Sequence, residues 1–182
     1  MKRSTRTTAT VPADVLAALD ARYGLARKRA AEPEIDRVLG EFVDRLGRAF
    51  GSLERVREKR ILDIACGSNS SRSPDSGART AVFEPWFCRL LLELSADPVG
   101  VDAGDLEGEQ FEHHRADLSK IGALDFLADA SFDRIQDSRL FGSPEFLATL
   151  ARSEHAPIKA ELRRQERRLL KPGGVIIHTD NP

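Results

Sequence analysis

The segment Arg60-Ile61-Leu62-Asp63-Ile64 is a short apolar run with an acid inside it, and it passes at once into the small residues Ala65-Cys66-Gly67-Ser68 and then Asn69. A turn of this kind lets the backbone come close to a ligand, because no bulky side chain intervenes and Gly67 accepts unusual dihedrals. An open α/β sheet makes a ligand cradle in this way, at the C-terminal edge of its first strand. Alone the turn constrains little, since small residues after a strand are common.

The order of the downstream segments constrains more. Pro98-Val99-Gly100-Val101-Asp102 reads as a second strand ending in an acid that can accept hydrogen bonds from a ribose diol. His113-His114-Arg115-Ala116-Asp117-Leu118 offers a third strand ending in Asp117, and Ser131 to Ser138 a fourth. Leu169-Leu170-Lys171-Pro172-Gly173-Gly174-Val175-Ile176-Ile177-His178 reads as a helix end, a tight turn and a fifth strand.

This series resembles the class I S-adenosylmethionine-dependent methyltransferases of the small-molecule type. The resemblance runs from about Arg60 to Thr179 and rests on Leu-Asp-Ile-Ala-Cys-Gly, Gly-Val-Asp102, Ala-Asp117-Leu and Leu-Leu-Lys-Pro-Gly-Gly, in the family's order. It implies a doubly wound, mostly parallel Rossmann-like sheet with helices on both faces, preceded by an N-terminal helical segment. It also implies S-adenosyl-L-methionine as cofactor. Asp63, Ala65, Cys66, Gly67 and Ser68 would face its methionine part, Asp102 and the adjoining Ala103 the ribose, and Asp117 with Leu118 the adenine. No metal is implied.

The chain departs from the family pattern in three places. Ala65 and Asn69 stand where the turn's first and last glycines would be, and Asn enters the left-handed region more readily than most residues. The stretch from Ser70 to Thr80, rich in Ser, Pro, Gly and Asp, reads as an irregular loop, which delays the first crossover helix to about Glu84-Pro85-Trp86. Phe87, Leu90, Leu91 and Leu94 then recur at helical spacing. Finally, the sequence ends four residues after His178, where family members continue with two more strands. The expectation is a sheet lacking its final strands, whose open edge beside the fifth strand invites pairing as a homodimer.

Charge and cysteine content narrow the remaining classes. With 28 basic and 29 acidic side chains in 182 residues, no global field favours nucleic acid, and the length fits one domain. Cys66 and Cys88 make neither a disulfide framework nor a zinc site. No apolar run reaches the roughly 18 residues of a membrane span, so no membrane partner and a cytoplasmic location are expected. Residues 1–10 read as a loose basic tail, too little like an apolar arginine-rich helix to be a targeting segment. Residues 11–59 read as a helical segment and 60–182 as the cofactor-binding domain.

Two helices are predicted before the first strand. One starts near Pro12 and carries Val15, Leu16 and Leu19; the other starts at Pro33 and repeats apolar residues at Ile35, Leu39, Phe42, Leu46, Phe50 and Leu53. By resemblance this preface is part of a lid, which makes Tyr23 and the Arg27-Lys28-Arg29 run candidates for substrate contact. The plainer reading of the basic run is a solvated patch favoured by a helix dipole.

His113 and His114 are adjacent on a strand and point to opposite faces, so they cannot share a metal. Arg163, Arg164, Arg167 and Arg168 accompany Glu161 and Glu166 and read as a charged outer face. By resemblance, Gln136, Asp137, Ser138 and Arg139 after the fourth strand lie near the transferable methyl, with Gln136 on the cofactor. Asp137 and His178, at strand ends where ligands bind, are the catalytic candidates. Ser143-Pro144-Glu145 reads as the cap of a following helix. The segment lacks the Asn or Asp, two prolines and aromatic of enzymes that methylate a DNA base, which leaves a small-molecule acceptor. A dinucleotide-dependent oxidoreductase would need G-x-G-x-x-G and an immediate helix, and neither is present. A non-catalytic cofactor-binding or interaction module built on the same sheet is the other reading.

Overall fold

The computed structural model describes residues 10–73, 76–137, 140–142, 146 and 149–178. Three helices precede the first strand: α1 (Ala13–Tyr23), α2 (Leu25–Ala31) and α3 (Glu34–Phe50). The sequence pattern anticipates α1 and α3, whereas α2 occupies the basic run. Gly24 separates α1 from α2 because its left-handed backbone (φ 64°) ends α1 and lets its N–H bond the Asp20 carbonyl. In α3, Ile35, Leu39, Val43, Leu46 and Phe50 are buried at intervals of three and four residues, forming one apolar stripe. Each such side chain is worth about 1.5–3 kcal/mol of burial, which holds the helix where propensity alone would not.

The sheet has five strands, β1 (Arg60–Ile64), β2 (Asp97–Asp102), β3 (Glu112–Arg115), β4 (Phe132–Asp137) and β5 (Leu170–His178), in the order β3-β2-β1-β4-β5. All four pairings are parallel. With α4 (Trp86–Glu93) and α5 (His155–Leu169), this is an α/β Rossmann-like fold. Helices cover both faces, as strands buried on both sides require. Ile61 packs with α1, α3 and α4; Leu62, Ile64, Val99, Val101 and Ile135 pack with Ile158, Leu162 and Leu169 of α5.

Three local expectations need correction. Asp117 lies beyond the end of β3, in a turn held by its own bonds to Ser119, rather than at the strand's last position. The Pro-Gly-Gly turn before the fifth strand is a bulge within β5: α5 passes directly into Leu170, which pairs Phe132, and Val175 is the next to pair, with Arg134. Pro172 and the left-handed Gly173 (φ 78°) break the ladder between them. The arginine series on α5 is not simply an outer face, because Glu166 is only 1 % exposed and Arg163 reaches in to it at 3.0 Å.

Candidate functional site

The strand order reverses direction between β1 and β4, and at that switch point the loops leaving neighbouring strands part to form a crevice. Register fixes who meets there. Ile64 pairs Val101 on one side and Asp137 on the other, while Asp137 pairs His178. The turn at Ala65, the acid Asp102 and the end of β4 therefore lie at one level on the C-terminal edge of the sheet. Residues 138, 139 and 143–145, which carry the expected transfer loop and helix cap, fall outside the described residues, as does the side chain of His178.

Asp102 is half-buried and turned inward over the turn. Its Oδ2 accepts the Gly67 N–H at 3.0 Å and its Oδ1 the Gly104 N–H at 2.8 Å. Burial raises its pKa, against the pull of the Gly104, Gly67 and Ala103 amides. Each oxygen keeps a second lone pair, so the carboxylate can still accept from a vicinal diol. Ala103 beside it is exposed. Asp117 is exposed and its pKa is lowered, first by the Ser119 hydroxyl. The Leu118 side chain is in the core, 4 % exposed, so only its backbone can meet a ligand.

Gly67 is required by the chain itself. At φ 88°, a Cβ there would lie 2.1 Å from the Phe83 carbonyl oxygen. That oxygen accepts the Ser68 N–H at 3.1 Å and the Ser71 hydroxyl at 3.0 Å. The long loop after the turn thus folds back and seats its end, Phe83-Glu84, on the glycine. The left-handed residue among the two glycine replacements is Ala65 (φ 58°), not Asn69. Asn69 acts through its side chain, donating to Glu109 at 3.0 Å and accepting from Arg89 at 2.8 Å.

Those bonds belong to a buried ion network that the sequence does not announce. Arg89 on α4 is 2 % exposed and bonds Glu109 through Nε (3.1 Å) and a terminal nitrogen (2.6 Å), and Glu84 at 2.5 Å. Its guanidinium lies over Tyr23 and Trp86, 4.4 Å and 4.7 Å from the ring centres. Lys28 of α2 also bonds Glu84. Burial works against the charge on Arg89, but Glu109 and Glu84 outweigh it and raise its pKa. The network ties the N-terminal helices to the turn after β1. Its members come from separate parts of the chain, Asn69 and Glu109 each 20 residues from Arg89 and Lys28 56 from Glu84, so no local pattern marks them.

Asp63 and Gln136, paired across β1 and β4, are both buried, and the Asp63 carboxylate lies 3.9 Å from the Cys88 thiol. Burial pushes the Cys88 thiol well up. The Cys88 thiol pulls Cys66 down, but burial and the charge of Asp63 outweigh it and its pKa is raised. Both thiols therefore stay neutral, which suits packing and not nucleophilic chemistry.

Asp137, 3 % exposed, turns towards α5: it accepts the Leu140 N–H at 3.3 Å and lies 3.9 Å from Arg163. Glu166 beside it is pushed up to about 7, first by burial and also by Asp137, against Arg163 and Arg167. Because the folded state holds that proton more tightly, the stabilisation is complete below the ordinary value near 4.5 and is lost as pH rises through about 7. Urea titrations of Glu166→Gln are expected to show stability that no longer declines over this interval. An unchanged decline would place the titration elsewhere.

Among the described residues no group of three or more His, Cys, Asp or Glu could hold a metal ion, and no helix is long and apolar enough to cross a membrane. No family model matches the chain, and no curated protein matches its sequence. Among solved structures, the chain is similar to a Methanococcus maripaludis protein described as a proposed S-adenosyl-L-methionine-dependent methyltransferase. The identity is 14 % and the TM-score 0.42, over 98 % of this chain and 67 % of that one.

Proposed function

We propose that the chain binds S-adenosyl-L-methionine and transfers its methyl group to a small-molecule acceptor. The observation that carries this reading is the register of the sheet, which brings the turn after β1, Asp102 at the end of β2 and the end of β4 to one level at the switch point. Asp102, which bonds the Gly67 and Gly104 amides beside an exposed Ala103, has acceptor capacity left for a ribose diol. The turn from Ala65 to Ser68 would lie along the methionine part, and Asp117 with the Leu118 backbone would border the adenine. The cofactor supplies a methyl group on a sulfonium sulfur, already activated for displacement.

The protein's own task is then mainly to hold the acceptor in line and close to that carbon. Gln136 and Asp137 end the strand nearest this position, and Arg163 and the Leu140 amide hold the Asp137 carboxylate in place. Asp137 serves as a base only where the acceptor must lose its proton early.

Calorimetric titration of S-adenosyl-L-methionine into the intact chain is expected to give micromolar binding, about tenfold or more weaker in Asp102→Ala, because charge-assisted hydrogen bonds contribute about 1.5–3 kcal/mol. No heat with the intact chain would remove the reading. Equal affinity in the variant would remove the ribose role of Asp102.

A further inference from the structure

A cleft of about 480 Å³ opens between the N-terminal helices and the end of the long loop, lined by Tyr23, Arg27, Lys28, Glu32, Arg79 and Glu84, with Ala81 at its floor. It lies at the C-terminal edge of the sheet, since Glu84 borders it and, with Phe83, rests on Gly67. The charges around it are unequally committed. Glu32 is held by the Ala81 N–H at 2.9 Å, the Val82 N–H at 3.3 Å and the Thr80 hydroxyl, and these contacts lower its pKa, with the Ala81 amide foremost. Glu84 is shared between Lys28 and the buried Arg89.

Arg27 and Arg79, by contrast, are exposed and have no carboxylate partner among the described residues. The Tyr23 hydroxyl is buried without a hydrogen bond of ordinary geometry. Burial first, then the charge of Glu109, raises its pKa against the pull of Arg22 and Arg89, so it remains a neutral donor. Its oxygen lies against Arg22, which leaves the O–H itself able to donate. The cleft thus presents two guanidinium forks without a carboxylate partner, while its own carboxylates, Glu32 and Glu84, are already engaged.

We infer that this cleft binds the anionic group, carboxylate or phosphate, of a small molecule; resting on the proposed methyl transfer, that molecule is the methyl acceptor. Its anion would sit between Arg27 and Arg79, with the remainder of the molecule directed past Ala81 towards the turn. The assignment selects a substrate class: acceptors carrying a negative group, over neutral or cationic ones.

The test titrates succinate and, separately, inorganic phosphate into the full chain by calorimetry, with and without saturating S-adenosyl-L-methionine. Saturable binding of either probe is expected, weakened about tenfold or more when both guanidiniums are removed in Arg27→Gln/Arg79→Gln. These side chains are exposed, so the variant should keep the parent's melting transition and its affinity for S-adenosyl-L-methionine. The arm that binds more tightly distinguishes a planar carboxylate from a tetrahedral phosphate. No saturable binding of either probe, or equal affinity in the double variant, overturns the cleft as an anion site. Displacement of the probe by S-adenosyl-L-methionine overturns the acceptor assignment, because the cleft would then hold the cofactor's own carboxylate. Anion binding that persists in a chain unable to bind S-adenosyl-L-methionine would uphold the site and defeat the transferase reading alone.

Discussion

Replacing Arg89 by methionine is expected to cost about 3–5 kcal/mol of stability, read as a fall in the urea midpoint with an unchanged slope. The size comes from what is left behind more than from the bonds removed. Glu109 and Glu84, with side chains 2 % and 5 % exposed, lose their shared guanidinium in surroundings that solvate an ion poorly. Glu84 retains Lys28; among the described residues, Glu109 retains the Asn69 amide. Methionine keeps much of the packing against Tyr23 and Trp86, so the loss can be assigned to charge and not to a cavity. Arg89→Lys is expected to recover a part, since one ammonium cannot bridge both carboxylates and Asn69 with the arginine's fork. A cost under about 1 kcal/mol for the methionine variant would mean that the network behaves like an exposed ion pair.

Gly67→Ala is the second large effect. The added methyl carbon would stand 2.1 Å from the Phe83 carbonyl oxygen and 3.0 Å from its carbon, both backbone atoms that no rotamer change can withdraw. The backbone there is also left-handed, at φ 88°. Together these should cost about 2–5 kcal/mol, combining the left-handed penalty with overpacking. Relief requires separating Phe83-Glu84 from the turn, which breaks the Ser68 bond to Phe83 and disturbs the Gly67 bond to Asp102. Denaturation should therefore register the variant before any ligand is added, and S-adenosyl-L-methionine binding should be lost with it. A variant of parental stability that had lost only binding would show that the glycine serves the ligand alone.

Much of the sheet was legible because its signals are local. The apolar runs of β1 and β2 and Val175-Ile176-Ile177 of β5 mark strands locally. By contrast, β3 (Glu-His-His-Arg) and β4 (Phe-Asp-Arg-Ile-Gln-Asp) carry no such run and are read from their place in the series, and the parallel arrangement is what the family resemblance implies. Helices α1, α3 and α4 were equally plain from Pro12, Pro33 and Pro85 at their starts and the apolar stripes behind them. Helix α2 escaped because Leu-Ala-Arg-Lys-Arg-Ala-Ala has one buried residue, Leu25, and so no stripe to read. Asp117 was placed a little too far into its strand because a strand's last residue and the first of an Asx turn look alike in sequence.

The candidate site divides along the same line. The residue types after each strand, and their approach to one edge, follow from chain order and the handedness of parallel crossovers. Orientation does not. That Asp137 turns to Arg163 while its neighbour Gln136 faces the other layer depends on alternation along β4 and on what α5 presents there. That Gly67 is occupied by Phe83, and that Ala65 rather than Asn69 takes the left-handed backbone, depends on where a long irregular loop comes to rest. Arg89, Glu84, Glu109, Asn69, Lys28 and Tyr23 carry no shared period or spacing, and only the docking of α1 and α2 against α4 makes them one network. By itself the sequence determined where the strands fall along the chain and which residues stand at their ends, because those rest on short apolar runs and turn chemistry between near neighbours. Which charges are buried together, and which remain unpaired in a cleft, only the tertiary structure decided, because the desolvation of one ion is compensated by partners that the chain brings in from far along its length.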